Sequence, residues 1–259
     1  MRVIFPHNPL HEKEADGPFS EEYEQLKELG IDCSLFDYDS LPFNEFKPKP
    51  AINEGDLILY RGWMLTPTKY ENLSSMVDSK GAKMITTPCE FIRSHHLPGW
   101  YESVAEFTPE TIFVENVELA ISVAENSGWQ EFFVKDYVKS NYNERGSIAK
   151  SPLEVDEIIS LIREHRGEIE GGIALRKVEN LAVETEVRFF VVKGKAFSPN
   201  DCYPSVINKI VEKHTAPFYS LDLIKNTDDE WRLIEIGDGQ VSDRKNWDAE
   251  LFCRAISAL

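Results

Sequence analysis

YSLDLIKNTDDEWRLIEIGDGQ, residues 219–240, holds two apolar runs on either side of the polar cluster TDDE. That is the pattern of two strands joined by a tight turn. A turn centred between Asp228 and Asp229 sets Asp222 directly opposite Glu235. The same register gathers Leu221, Leu223, Ile234 and Ile236 on the other face, a consistent side for a core. Carboxylates opposed on neighbouring strands repel each other unless a cation lies between them. A hard divalent ion such as Mg²⁺, which takes one or two carboxylates plus substrate phosphates, meets that requirement. A solvated acidic hairpin would carry the same residues, so both readings stand at this point.

Upstream of the hairpin, the basic residues fall inside apolar strands. In FFVKDYVKS (132–140), alternation puts Lys135 and Lys139 on one face with Phe133 and Tyr137, while Phe132, Val134 and Val138 point the other way. In VETEVRFFVV (183–192), Arg188 shares a face with Glu184, Glu186 and Phe190. A charge within so apolar a strand must be paired or ligand-bound, because burying it alone is costly. A pairing of Glu186 with Arg188 and a bound anion are equally compatible with the pattern. Between these strands, ALRKVE (174–179) is an extended segment whose main chain could meet an adenine edge, with Glu179 toward a ribose hydroxyl; a polar strand end would look the same.

Composition narrows the class. The chain has 259 residues, long enough at roughly 150 per domain for one large domain or two tightly joined ones. With 42% hydrophobic residues beside 28% charged, it is a folded protein and not a disordered one. The formal net charge of −17 argues against a surface that grips nucleic-acid backbones, and no nucleic-acid partner is expected. That excess is uneven. Residues 173–195 hold five bases against three acids, so a small basic pocket can coexist with the acidic hairpin. The opening MRVIFPHNPLHEKE lacks the apolar core of a secretory signal, and no run is long enough to span a membrane. Cys33, Cys89, Cys202 and Cys253 are scattered, as expected of reduced thiols in a cytoplasmic protein. His95-His96, read as neighbours on an extended segment, would point to opposite faces, so shared metal ligation is not expected.

Residues 1–95 alternate strand and helix: a strand at Val3–Phe5, a helix from Ser20 as N-cap to the stop at Gly30, strands at 31–36 and 56–61, a helix at 68–80 and a strand at 82–86. This predicts a small parallel α/β domain. From about residue 96, strands dominate around a helix at 154–165, and a last helix is predicted at roughly 247–258. The second half is therefore α+β with antiparallel sheets.

Taken in order, a strand lysine, a hinge ending in Glu, an E-x-R strand, and Asp and Glu on a late hairpin make the sequence resemble the ATP-grasp superfamily. It is similar in particular to a compact clade first catalogued as a domain of unknown function in bacteria and phages. The matching stretches are FFVKDYVKS, ALRKVE, ETEVRFFVVKGK and YSLDLIKNTDDEWRLIEIGDGQ. The resemblance implies a pre-ATP-grasp α/β domain over residues 1–95, then an ATP-grasp domain over 96–259 with a nucleotide cleft between two α+β subdomains. It implies that Lys135 contacts nucleotide phosphate with Lys139 beside it, and that Arg176, Lys177, Val178 and Glu179 form the adenine hinge. Arg188 then steadies the transferred phosphate, Asp222 and Glu235 bind the metal, and ATP and Mg²⁺ are the cofactors.

The family's last metal ligand is usually an Asn two residues after the Glu. Here that place is Gly237, with Asp238 beside it, so that either Asp238 substitutes as the ligand or metal binding is weaker. TIFVENVEL lacks the usual earlier strand lysine, and SNYNERGSIAK, expected to cover the phosphates, has only Gly146, with Asn141, Ser147 and Lys150 as further contacts. The implied activity is an ATP- and Mg²⁺-dependent carboxylate–amine or carboxylate–thiol ligase that works through an acyl phosphate and releases ADP. A nucleotide-binding regulatory protein with a degenerate site, or a phosphotransferase, are the alternatives. The substrates would be a small-molecule or peptide carboxylate and an amine or thiol acceptor, without membrane association. Arg61 and Arg93 could hold a substrate carboxylate, or simply form salt bridges.

Overall fold

The computed structural model describes residues 1–138 and 145–259, apart from the side chain of Arg166. Lys139, and with it Ser140 and Asn141 of the expected phosphate loop, lie outside the described residues.

The chain opens with β1 (Arg2–Asn8), buried throughout at Val3, Ile4 and Phe5, and folds back as β2 (His11–Ala15). A single 3₁₀ turn, Gly17–Phe19, leads into α1 (Ser20–Glu28). Asp16 caps that turn by accepting from Gly17 N, so Ser20 is the first residue of α1 and not its cap. Gly30, at φ 76°, supplies the left-handed residue that ends the helix. Then follow β3 (Asp32–Phe36), β4 (Leu57–Tyr60), α2 (Pro67–Asp78) and β5 (Lys83–Met84). Thr66 caps α2 by accepting from Lys69 N.

Two helices not expected from the sequence come next, α3 (Pro88–His95) and α4 (Leu97–Val104). The second half runs β6 (Thr111–Val114), α5 (Ala120–Ser127), β7 (Phe132–Asp136), β8 (Ile148–Ala149), α6 (Pro152–Arg166), β9 (Ile173–Lys177), β10 (Leu181–Val192) and β11 (Lys195–Phe197). The chain finishes with α7 (Val206–Lys213), β12 (Phe218–Asn226), β13 (Trp231–Asp238) and α8 (Ala249–Ile256). No helix among the described residues is long and apolar enough to cross a membrane.

By its internal contacts the chain divides into two units. The first comprises Met1–Ser94, Arg188–Leu221 and Gly237–Leu259; the second comprises His95–Val187 and Asp222–Ile236. β10, β12 and β13 belong to one four-stranded sheet, ordered β11-β10-β12-β13. In the sequence, the unit boundaries fall within these three strands, at 187/188, 221/222 and 236/237.

In the first unit, β1 pairs in parallel with β3 and with β4, β4 pairs in parallel with β5, and β2 pairs antiparallel with β1. Val3, Phe5, Leu26 and Leu35 share a core with Phe190, Phe218, Trp247 and Phe252, so the last helix packs with the first strand. Fully burying each such side chain contributes roughly 1.5–3 kcal/mol. Arg61 is a structural residue: it is buried, bonded to both oxygens of Glu22 at 2.8 and 2.7 Å, and donates to the carbonyls of Gly239, Gln240 and Ser242. Arg93 donates to Thr215 O.

The same unit carries a pH-sensitive group. His214 is buried with its Nε2 3.0 Å from Ser94 Oγ, and burial, with Arg93 adding repulsion, pushes its pKa down from 6.5 to about 4. Between those values the unfolded chain binds the proton and the folded one does not. Stability is therefore intact above pH 6.5 and is lost as pH falls toward 4. The expected loss is up to about 3 kcal/mol. Urea unfolding of His214→Gln between pH 4 and 7 should show a shallower decline than the parent; identical slopes would refute the assignment.

In the second unit, β6, β9, β7 and β8 form an antiparallel sheet in that order. One face packs Phe132, Val134, Ile173 and Leu175 against Ala120, Ala124, Ile158 and Ile162 of α5 and α6. Ser151 caps α6 by accepting from Glu154 N, with Pro152 in the first turn. This matches the α+β half with antiparallel sheets expected from the sequence.

Candidate active site

The opposite face of the β6-β9-β7-β8 sheet carries two of the basic residues singled out in the sequence. Thr111 and Phe133 are register partners of Arg176, and Phe113 and Lys135 are register partners of Ala174, so strand alternation puts Lys135 and Arg176 on one face. Both side chains are buried. Together with Thr108 they converge on three consecutive residues of β13. Lys135 Nζ lies 2.9 Å from Glu235 Oε1, and Arg176 Nη1 donates to Ile234 O at 2.7 Å. Thr108 Oγ1 accepts from Arg176 Nη2 at 2.6 Å and donates to Leu233 O at 2.7 Å. The lysine and the acid expected to bind phosphate and metal are thus in direct contact. Thr108 has no sequence signal, since its role depends on β13 arriving beside it.

Burial lowers the Arg176 pKa to about 10, opposed by the nearby carboxylates of Glu235 and Glu179. Its Nε has no hydrogen-bond partner among the described residues, a buried N–H that an anion would satisfy. Glu179 is held by a bidentate pair with Arg232 at 2.7 and 2.8 Å. In the hinge, Lys177 N donates to Glu110 O and Asn180 O accepts from Thr227 N. Lys177 itself is exposed and its ammonium is 3.4 Å from Glu110. Asp222 is buried on β12.

The turn of the hairpin differs from expectation. Asp229 N donates to Asn226 O and Asn226 N to Glu230 O, with Asp229 left-handed at φ 64°. The loop is therefore Thr227-Asp228-Asp229, a three-residue turn with its left-handed residue last, and not a two-residue turn between Asp228 and Asp229. At the other end, Gly239 N donates to Phe218 O, which is the register expected from the sequence.

In the first unit, the Arg188 guanidinium donates to the Asp243 carboxylate at 2.9 Å and to its carbonyl at 3.0 Å, and Arg188 O accepts from Trp247 Nε1. Asp238 is fully buried and accepts from Gln240 N and Nε2 at 3.0 and 3.2 Å. Burial pushes its carboxyl up to about 7, against those hydrogen bonds. Its carboxylate is thus engaged with its own loop.

Gly237 is enforced sterically. A Cβ there would sit 2.9 Å from both Ser220 Oγ and Ser242 Oγ, and these two hydroxyls are bonded to each other at 2.9 Å. Gly237→Asn, which restores the family's usual residue, should therefore cost about 1–3 kcal/mol and should not tighten Mg²⁺ binding. Urea unfolding and Mg²⁺ titration check this; a stable variant with tighter Mg²⁺ binding would show that the glycine is incidental.

The donor set fits the expected ligands. Asp222 and Glu235 offer the hard oxygens Mg²⁺ takes, and Lys135 and the Arg176 Nε offer N–H groups to phosphate. A mixed fold with these groups on antiparallel sheets is that of an ATP-grasp protein. The family model described as "ATP-grasp domain, R2K clade family 3" matches residues 125–256, just over half of the chain, and the chain belongs to that family.

Solved structures agree on the fold. The D-cycloserine synthetase DcsG superposes with a TM-score of 0.63 at 11% identity, covering 98% of each chain. The ATP-grasp ligase PsnB, complexed with precursor peptide PsnA2 and AMPPNP, gives 0.61 at 13% identity over 99% of this chain and 96% of that one. The macrocyclase MdnC, bound with precursor peptide MdnA from Microcystis aeruginosa MRC, gives 0.60 at 12% identity over 100% of both. No curated protein sequence matches the chain.

Proposed function

We propose that this protein is an ATP- and Mg²⁺-dependent ligase that joins a carboxylate to an amine or thiol through an acyl phosphate, with release of ADP. The observation that carries this reading is the contact of the buried Lys135 with the half-buried Glu235 beside Arg176, in a chain of the ATP-grasp family. Phosphoryl transfer asks a protein mainly to position groups and neutralise charge, and these side chains do that without a Ser, Cys or His nucleophile. Asp222 and Glu235 would hold the metal, which when bound shields the charge of the phosphates. Lys135, Lys139 and Arg188 would grip the phosphates. Asp238, turned into its own loop, would position that segment.

Any main-chain contact of the hinge with a base edge falls on Val178 and Glu179, because the Lys177 N–H and the Asn180 carbonyl are already used. Glu179 would have to exchange Arg232 for a ribose hydroxyl. The peptide-bound PsnB and MdnC structures support a peptide carboxylate as one substrate class; DcsG supports a small-molecule one. The four cysteines, none disulfide-bonded, suit a reducing cytoplasmic setting.

The test is product analysis. Protein, ATP and Mg²⁺ incubated with panels of acids, peptides and amines should yield ADP and a ligated product. AMP with pyrophosphate would refute the acyl-phosphate route. The Gly237 departure favours a second reading, a regulatory nucleotide binder: saturable ATP binding with no product across the panel would establish it. A stable phosphorylated product would instead identify a phosphotransferase.

A further inference from the structure

We infer that His95, His96 and Glu170 form a binding site for one transition-metal ion of zinc type, built from residues other than the acids assigned to Mg²⁺. His96 Nε2 lies 3.1 Å from Glu170 Oε1, and His95 Nε2 lies 3.8 Å from the same oxygen. One donor atom from each residue falls within 4.8 Å of the other two. Zinc–ligand bonds of about 2.0–2.2 Å place tetrahedral donors roughly 3.3–3.6 Å apart, a spacing that the 3.1 and 3.8 Å separations bracket. The two imidazoles thus share one carboxylate oxygen of Glu170 as their common neighbour.

The sequence argued against shared ligation because neighbours on a strand point apart. These two residues are not on a strand. His95 ends α3, and His96 caps α4 with extended backbone, φ −96° and ψ 129°. The change from helical to extended backbone turns both rings to one side, 5.7 Å apart with planes at 32°.

The surrounding backbone is stitched together. Leu97 N donates to Tyr137 O at 2.9 Å, and Tyr137 N donates to Glu170 O at 3.3 Å. Glu170 is followed by Gly171 at φ 81° and Gly172 at φ 154°. A Cβ on Gly171 would come within 2.5 Å of the Tyr137 ring and one on Gly172 within 2.9 Å, so only glycines let Glu170 approach beneath it. The donors are mostly shielded, with side-chain exposures of 3, 15 and 12%. Two imidazoles and one carboxylate select zinc, cobalt or nickel over magnesium or calcium, and three protein ligands leave a fourth position for water.

The test uses the full chain, stripped with chelator and kept in excess Mg²⁺ so that the hairpin acids are occupied. Calorimetry with Zn²⁺ should show one tight equivalent. Co²⁺ should give the visible absorption of a four-coordinate site. His96→Ala and Glu170→Gln should each weaken Zn²⁺ binding by about 100-fold or more, above the loss typical of outer-shell partners, whereas Glu235→Gln should not. No stoichiometric Zn²⁺ uptake, binding unchanged in both site variants, or binding lost in Glu235→Gln would each overturn the assignment. If the site variants do not fold, X-ray absorption at the metal edge of the zinc-loaded parent decides it: two imidazoles support the site and none refutes it. The result does not depend on the ligase reading, because ADP formation enters no arm of the test.

Discussion

Lys135→Ala should weaken binding of a non-hydrolysable ATP analogue with Mg²⁺ by about 10- to 100-fold, the range expected for losing a charge-assisted hydrogen bond of roughly 1.5–3 kcal/mol. The lysine is buried and its ammonium is already placed against Glu235 at 2.9 Å, so it reaches a bound phosphate with little side-chain entropy left to lose. Glu235→Gln should keep most of the nucleotide affinity measured without metal, but lose most of the gain from Mg²⁺. Turnover should fall further than binding in both variants, by about 100-fold or more, because in the proposed reaction these groups would stabilise charge developing in the transition state. The double variant should be little worse than the poorer single, as expected of groups that act as a unit. If the pair were only a structural salt bridge, both variants would lower thermal stability and leave nucleotide affinity within about twofold. Calorimetric titration with and without Mg²⁺, beside a melting curve, separates the two cases.

Legibility in the sequence followed the range of the interaction. Alternation within a strand is local, and FFVKD showed it: Phe132 and Val134 enter the core while Lys135 takes the opposite face. The cap of α6 is local too, Ser151 followed by Pro152 and Glu154. The start of α3 is equally local, although the helix is not among those expected above. Thr87 and Glu90 form a reciprocal capping box, Thr87 N to Glu90 Oε2 at 2.8 Å and Glu90 N to Thr87 Oγ1 at 3.3 Å, and T-P-C-E states that box in the sequence. His95 and His96 fall at the junction of α3 and α4 and not on the extended segment expected for them.

The hairpin shows a different limit. Four polar residues, TDDE, do not say which of them adopts the left-handed conformation; Asp229 does, and the turn shifts by one residue. Long-range partners had no signal at all. Thr108 bonds Arg176 and Leu233, and Arg232 bonds Glu179, across sequence separations that no periodicity encodes. Sequence named Lys135, Arg176 and Glu235 as residue types fit for the chemistry. The sheet register and the placement of β13 are what bring them together.

Arg61→Ala should be the most destabilising single substitution in the first unit, at about 3–5 kcal/mol, the cost of breaking a buried ion pair from one side. For a chain of this size that corresponds to a fall of roughly 6–20 °C in the melting midpoint. The guanidinium makes two bonds to Glu22, three more to the carbonyls of Gly239, Gln240 and Ser242, and stacks on Phe252 at 4.8 Å. Removing it leaves Glu22 buried, with Arg244 Nε at 3.1 Å in partial compensation, and takes the Arg61 donor from three carbonyls of the loop that follows β13. A double change, Glu22→Leu with Arg61→Met, should recover a large share of the loss, since an apolar pair of similar volume avoids burying any charge. Urea unfolding of both singles and the double measures the coupling directly. A loss below about 1 kcal/mol in Arg61→Ala would place the residue among weak surface pairs. It would also reopen the alternative that its guanidinium waits for a substrate carboxylate.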